Sequence, residues 1–120
     1  MLPEREARRM LASFLGGLDF ITTAAEEGFP PAGGVPLPRL TWWLSREGDT
    51  GDVTLRVWCA DHAGCVAALE RLRGAIPYPG VLLRGEGGCL ALIPRTTRAE
   101  AELSQPCRAE MTAEVRFYER

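Results

Sequence analysis

Strict alternation of apolar and polar residues marks the segment from Arg108 to Tyr118. Small or apolar side chains stand at every second position, and polar or amphipathic side chains stand between them. A period of two over this length is typical of a β-strand with one buried face and one outward face. We therefore predict a long strand over Ala109–Tyr118, at the end of the sequence.

Shorter runs of the same kind predict further strands over Arg39–Ser45, Val53–Cys59, Val81–Arg84 and Cys89–Ile93. A turn rich in glycine and aspartate joins the first two, which is typical of an antiparallel hairpin. Placing Leu44 opposite Val53 puts the apolar side chains of this hairpin on one face. The expected core face comprises Leu40, Trp42, Leu44, Val53, Leu55, Val57, Met111, Val115 and Phe117.

Helical spacing of apolar residues occurs in two places. Over Pro3–Leu15 they recur at intervals of three and four and form one stripe. Asp61 is placed to cap a second helix over His62–Arg73, which we expect Gly74 to end. The fold class is therefore α+β, an antiparallel or mixed sheet of four to five strands with two helices packed on one face. The chain has 120 residues and forms a single domain.

Two segments do not fit these patterns. Residues 95–106 are consistent with either a helical turn or a strand. Residues 20–38 are rich in proline and glycine, and we expect them to form a projecting arm that becomes ordered on a neighbouring subunit or partner. Phe20, Ile21 and Phe29 would anchor this arm.

The composition and charge of the chain argue against two classes of function, nucleic-acid binding and membrane association. The net charge of −2 gives no electrostatic case for nucleic-acid binding. No apolar run approaches the ~20 residues that a membrane-spanning helix needs. The first ten residues are too charged for a signal peptide, so we expect a protein that remains in the cytoplasm and binds no membrane.

The residues that could carry chemistry are few. Cys59, His62 and Cys65 have the spacing C-x2-H-x2-C, but Cys89 and Cys107 are too far apart to complete a zinc site. Buried reduced thiols are the simpler interpretation. His62 is the single histidine and has no recognisable nucleophile or orienting group beside it. We expect no catalytic centre, no metal and no cofactor.

Three short motifs carry a resemblance to a known family. They are PLPRLTWW at 36–43, VTLRVW at 53–58 directly before the second helix, and AEVRFY at 113–118. Their order resembles that of the tail terminator proteins of long-tailed bacteriophages, also called tail completion or head-to-tail joining proteins. In that family a proline precedes the first strand, a V-x-V-W type strand precedes the main helix, and an F-x-Y type strand closes the chain.

The resemblance implies a structural, non-enzymatic virion protein. Members form a ring, usually a hexamer, that caps the finished tail tube and receives the head connector. The implied partners are copies of the chain itself, the tail tube protein and the head connector or stopper protein, assembled in the host cytoplasm into the phage neck. Two alternatives remain, another phage neck or tail structural protein and a ferredoxin-like ligand-binding or regulatory module.

The predicted hairpin also indicates an interface. Trp43 and Trp58 would point to the face that the helices do not cover, together with Arg56. Exposed tryptophans commonly mark interfaces, and a ring closes through contacts between two different faces. We expect this face to pack against the next subunit, with Arg56 pairing with a carboxylate of that neighbour. The alternative is that residues 20–38 fold back over the two tryptophans.

Overall fold

The computed structural model describes residues 2–27, 33–99 and 107–119. These residues form two helices and six strands. In chain order the elements are α1 (Glu4–Gly16), β1 (Thr23–Glu26), β2 (Arg39–Glu47), β3 (Thr50–Cys59), α2 (His62–Ala75), β4 (Val81–Arg84), β5 (Gly88–Ala99) and β6 (Cys107–Glu119).

The six strands form one mixed sheet in the order β1-β2-β3-β6-β5-β4. Strand β1 runs parallel to β2, and the other neighbouring pairs are antiparallel. The predicted α+β class is confirmed, but the count of four to five strands is wrong. The additional strand is β1, whose sequence TAAE has no large apolar side chain that would indicate a strand. The element order also differs from the β-α-β-β-α-β order of the ferredoxin-like fold, so that topology is wrong for this chain.

The central hairpin has the predicted register. Leu44 lies opposite Val53, and the pairs that follow from this register are also present. Every side chain that was expected on the core face is buried. The alternation therefore located this part of the core correctly.

Strand β5 is longer than its apolar pattern indicated. The sequence predicted that it ends at Ile93, whereas it continues to Ala99. A register shift between Pro94 and Thr96 leaves Arg95 as an extra residue opposite β6. Strand β4 begins at Val81, opposite Leu92, so Pro94 lies where β5 has no second described neighbour. A proline is tolerated at such an edge or bulge because no ladder hydrogen bond requires its missing N–H group.

Helix α2 begins as predicted and ends slightly later. The Asp61 side chain accepts a hydrogen bond from the backbone N–H of Gly64 at 2.7 Å, which confirms the cap. The helix continues through Gly74 to Ala75. It packs against β3, β5 and β6, the middle strands of the sheet.

Helix α1 contacts β1 and β4, which are the two edge strands of the sheet. In a flat sheet these edges would lie about 24 Å apart, at ~4.8 Å per strand, and a helix that contacted both would have to cross the middle strands, which α2 covers. The sheet therefore curls around α1. The helix buries Ala7, Leu11 and Leu15 in the same core as α2.

Candidate interaction surface

The outer face is the side of the sheet opposite the helices. Its centre is formed by alternate residues of β2, β3 and β6 and of the last part of β5, where registers place their side chains in rows. One row is Thr41, Arg56, Glu110 and Arg98. The next row is Trp43, Thr54, Thr112 and Thr96.

The first row contains a charge ladder centred on Glu110. Arg56 donates a hydrogen bond from Nε to Oε2 of Glu110 at 2.8 Å. A guanidinium nitrogen of Arg98 lies 3.9 Å from the other carboxylate oxygen. Arg56 therefore pairs with a carboxylate of its own chain, and its contact with a neighbouring subunit stays a prediction.

Trp43 lies at the head of the second row. The Arg56 guanidinium carbon is 4.7 Å from the centroid of the Trp43 ring, in cation-π geometry. The indole remains half-buried. Further along this row, the backbone N–H of Thr96 donates to Oγ1 of Thr112 at 3.3 Å, so these two threonines are bonded to each other. A rigid aromatic group beside a fixed cation is a common composition at protein interfaces.

Trp58 is on the predicted side of the sheet but is not exposed. Only 5% of its surface is accessible. Its Nε1–H donates to Oγ1 of the fully buried Thr41 at 2.7 Å, and the Arg108 guanidinium lies 5.6 Å from the ring centroid. The expectation that both tryptophans are available on this face is therefore wrong for Trp58. A satisfied indole N–H and a covered ring indicate a structural role.

The arm expected at 20–38 is partly built into the domain. Thr23–Glu26 is an edge strand of the sheet, and Phe20 and Ile21 pack against the core of their own chain. The Arg71 guanidinium lies 5.4 Å from the centroid of the Phe20 ring. These two residues are therefore held by their own chain, and whether they also contact a partner stays a prediction. Phe29 lies outside the described residues.

Two glutamates of β6 were missed by the sequence reasoning. Glu110 supports Arg56, and Glu114 is bonded to both Arg95 and Arg116. The hydrogen bond from Arg95, followed by that from Arg116, lowers the pKa of Glu114. The sequence did contain a signal for these ion pairs. The two glutamates lie on the polar side of a predicted strand, and other predicted strands carry arginines on their polar sides.

The cysteines of the C-x2-H-x2-C motif are not poised for chemistry. Cys59, Cys65 and Cys107 are buried free thiols. Burial, with smaller contributions from neighbouring Cys65 and Asp61, raises the pKa of Cys59 to about 12. A thiol that stays protonated is a poor nucleophile and a poor metal ligand. Within residues 2–27, 33–99 and 107–119, no group of three or more His, Cys, Asp or Glu is arranged to hold a metal ion.

No helix in the described part of the chain is long and apolar enough to cross a membrane. Comparison of the sequence with protein-family models and with curated proteins gave no match. The function must therefore be inferred from the surface itself and from the short motifs of the sequence.

Proposed function

We propose that this chain is a structural subunit of a phage neck, a tail terminator that forms a ring on the end of the tail tube. The observation that carries the proposal is the outer face, where Trp43 is held between Arg56 and a row of threonines on a rigid sheet. Neither helix covers this face. The motifs at 36–43, 53–58 and 113–118 supply the family to which the proposal refers.

A ring needs one surface of each subunit to meet a different surface of the next. The outer face suits one half of such a contact because its side chains are already fixed. Arg56 is held by Glu110, so little side-chain entropy is lost when a partner covers it. A half-buried tryptophan at the centre of the face would supply the apolar contact that most often dominates binding energy.

The burial of Trp58 changes which residue tests this proposal. Replacing Trp58 would disturb the core-like contact with Thr41 and confuse unfolding with loss of assembly. Trp43→Ser removes the half-buried ring and leaves that contact intact. Val66→Ser is the matched control, because Val66 is an exposed apolar residue on α2, away from the outer face.

The experiment measures assembly and folding separately. The wild-type protein and both variants are analysed by sedimentation velocity and negative-stain microscopy, alone and with the tail tube protein encoded in the same genome. We expect wild type and Val66→Ser to form rings at the ends of tubes. Trp43→Ser should be monomeric by sedimentation velocity and folded by circular dichroism.

Two results would contradict the proposal in different ways. Rings formed by folded Trp43→Ser would show that the subunit contact lies elsewhere. Wild-type protein that neither self-associates nor binds tube ends would refute the tail terminator function itself.

A further inference from the structure

A groove of about 660 Å³ separates α1 from the free edge of β4. Its helix wall carries Met10 and Phe14, and its strand wall is formed by residues 82–86. The groove is distinct from the outer face described above. At one end of the groove, α1 contacts the turn at Gly85 and Gly87.

The contact at the turn fixes one end of the groove. A Cβ atom at Gly85 would lie 2.7 Å from Oε1 of Glu6 and 2.8 Å from Sδ of Met10. The backbone N–H of Gly87 donates to the Glu6 carboxylate at 2.9 Å. Glycine at these positions therefore lets the helix approach closely and be held in place.

No strand of the described residues pairs with the outer edge of β4, which leaves backbone hydrogen-bonding groups unpaired beside this groove. Gly85 N–H donates to the carbonyl oxygen of Gly88 at 2.9 Å, which sets the alternation of ladder bonds between β4 and β5. Leu83 and Val81 then exchange hydrogen bonds with β5. The N–H and C=O groups of Leu82 and Arg84 point away from β5, and β4 is the last strand in the sheet.

The side chains around this edge are of two kinds, half-buried apolar groups and exposed arginines. Met10, Phe14 and Leu83 are half-buried apolar groups packed against the core. Arg9 and Arg84 are exposed, and neither has an ion pair with another described residue. The carboxylates of the groove are already engaged, since Glu6 accepts from Gly87 and Glu86 has an interaction of its own.

We propose that this groove binds an extended segment of another protein, with acidic and apolar side chains in alternation, as an additional strand beside β4. The free groups of Leu82 and Arg84 pair with the backbone of the segment. Its apolar side chains pack on Met10 and Phe14, and its carboxylates meet the free guanidinium groups.

A partner protein fits this edge better than a second copy of the chain. Pairing of two copies edge to edge in a head-to-tail manner would require β1, the opposite edge of the sheet. At that edge, Glu26 is bonded to Arg8 of α1, and this engaged side chain opposes strand addition there. Symmetric pairing of two β4 strands would bring the exposed Arg84 side chains of the two copies close together, and like charges oppose that arrangement.

Blocked hexapeptides that alternate glutamate and valine, labelled with fluorescein, test the proposal by fluorescence anisotropy. We expect saturable binding that weakens about tenfold when lysine replaces glutamate, because the charges then repel. Two further peptides carry N-methyl groups only on the glutamates or only on the valines. In an added strand, the N–H groups of every second residue point towards β4, so they belong either to the glutamates or to the valines. Only the peptide that is methylated on the other residue type should bind.

Variants of the protein locate the binding. Leu82→Pro removes an N–H that points away from β5 and so preserves the sheet, and it should weaken binding about tenfold or more. Leu82→Ala keeps the N–H and is the control. Arg84→Glu should also weaken binding, whereas Arg71→Glu on α2 should not. Slower amide exchange at Leu82 and Arg84 on peptide addition would give an independent measurement.

Three outcomes would overturn the proposal. The first is the absence of saturable binding by any of the peptides. The second is equal binding to wild type and to folded Leu82→Pro, or equal binding of both N-methylated peptides. The third is self-association of the wild-type protein that Leu82→Pro abolishes, which would make a second copy the occupant.

Discussion

Arg56 and Glu110 face each other across β3 and β6, with Nε of the arginine 2.8 Å from Oε2 of the glutamate. Only 23% and 18% of their side chains are accessible. The same guanidinium stacks on Trp43. One internal ion pair therefore determines where the cation and the aromatic ring of the outer face lie.

We expect this pair to contribute to stability. A double-mutant cycle with Arg56→Ala and Glu110→Ala should give a coupling energy of about 1–2 kcal/mol, above the ~0.2–1 kcal/mol typical of exposed pairs. The measurement is urea unfolding of the four proteins at low salt. The reason is partial burial, which reduces solvent screening of the two charges.

The ion pair between Arg71 and Asp19 is the matched control. Its side chains are 60% and 85% accessible, with a separation of 3.4 Å. The same cycle there should give about 0.5 kcal/mol or less. Equal coupling energies at both pairs would show that burial of Arg56 and Glu110 has no energetic consequence.

The contact between Trp58 and Thr41 supports a second prediction. Trp58→Phe keeps most of the ring packing but leaves the buried Thr41 hydroxyl without its donor, which should cost about 1–3 kcal/mol of unfolding free energy. Thr41→Val leaves the indole N–H unpaired and should cost a similar amount. Chemical denaturation of both variants measures these changes.

The double variant Trp58→Phe with Thr41→Val gives the decisive comparison. Removing both polar partners leaves no unsatisfied group, so its loss of stability should be smaller than the sum of the two single losses. Strictly additive losses would mean that the hydrogen bond is not the source of the effect.

These results indicate which features the sequence could predict. The hairpin register and its core face followed from alternation alone, because slipping the register by one residue would expose the apolar side chains of the strand. The cap at Asp61 followed from local chemistry in the same way. The register depends on a long alternation of apolar and polar residues, and the cap depends on residues that are neighbours in the sequence.

The remaining features depend on contacts between distant segments. Strand β1 exists because Thr23–Glu26 pairs with the beginning of β2, and the sequence TAAE has no large apolar residue to indicate that pairing. Trp58 has the same outward phase as Trp43, but its partner Thr41 and the overlying Arg108 come from other strands. The groove beside β4 likewise requires the curl of the sheet, which brings α1 to an edge strand that is distant in sequence.

Gly88 should be intolerant of a side chain. Its φ is +154°, and a Cβ atom there would overlap the carbonyl oxygen of Tyr118 on β6. Gly88→Ala should therefore lower the unfolding free energy by at least ~1–3 kcal/mol, through backbone strain and loss of strand pairing. Thermal unfolding followed by circular dichroism measures the effect.

Gly74→Ala is the control for that substitution. Gly74 lies in α2, and a Cβ atom would have nothing within 4 Å. Alanine should stabilise the helix by up to about 1 kcal/mol. A variant Gly88→Ala that is as stable as wild type would contradict the close packing of β5 against β6.

The buried thiol of Cys59 should make stability depend on alkaline pH. Its pKa is raised from the ordinary 9.0 to about 12, chiefly by burial. The folded state therefore holds the proton more tightly than the unfolded state. The resulting stabilisation is fully present below pH ~9 and is lost as the pH rises towards 12, by at most about 1.4 kcal/mol per pH unit.

Urea unfolding between pH 7.5 and 10.5 should show this decline in the unfolding free energy. Cys59→Ala and Cys59→Ser should each make the decline shallower, whatever their stability at pH 7.5. An unchanged slope in both variants would show that Cys59 is not the group responsible.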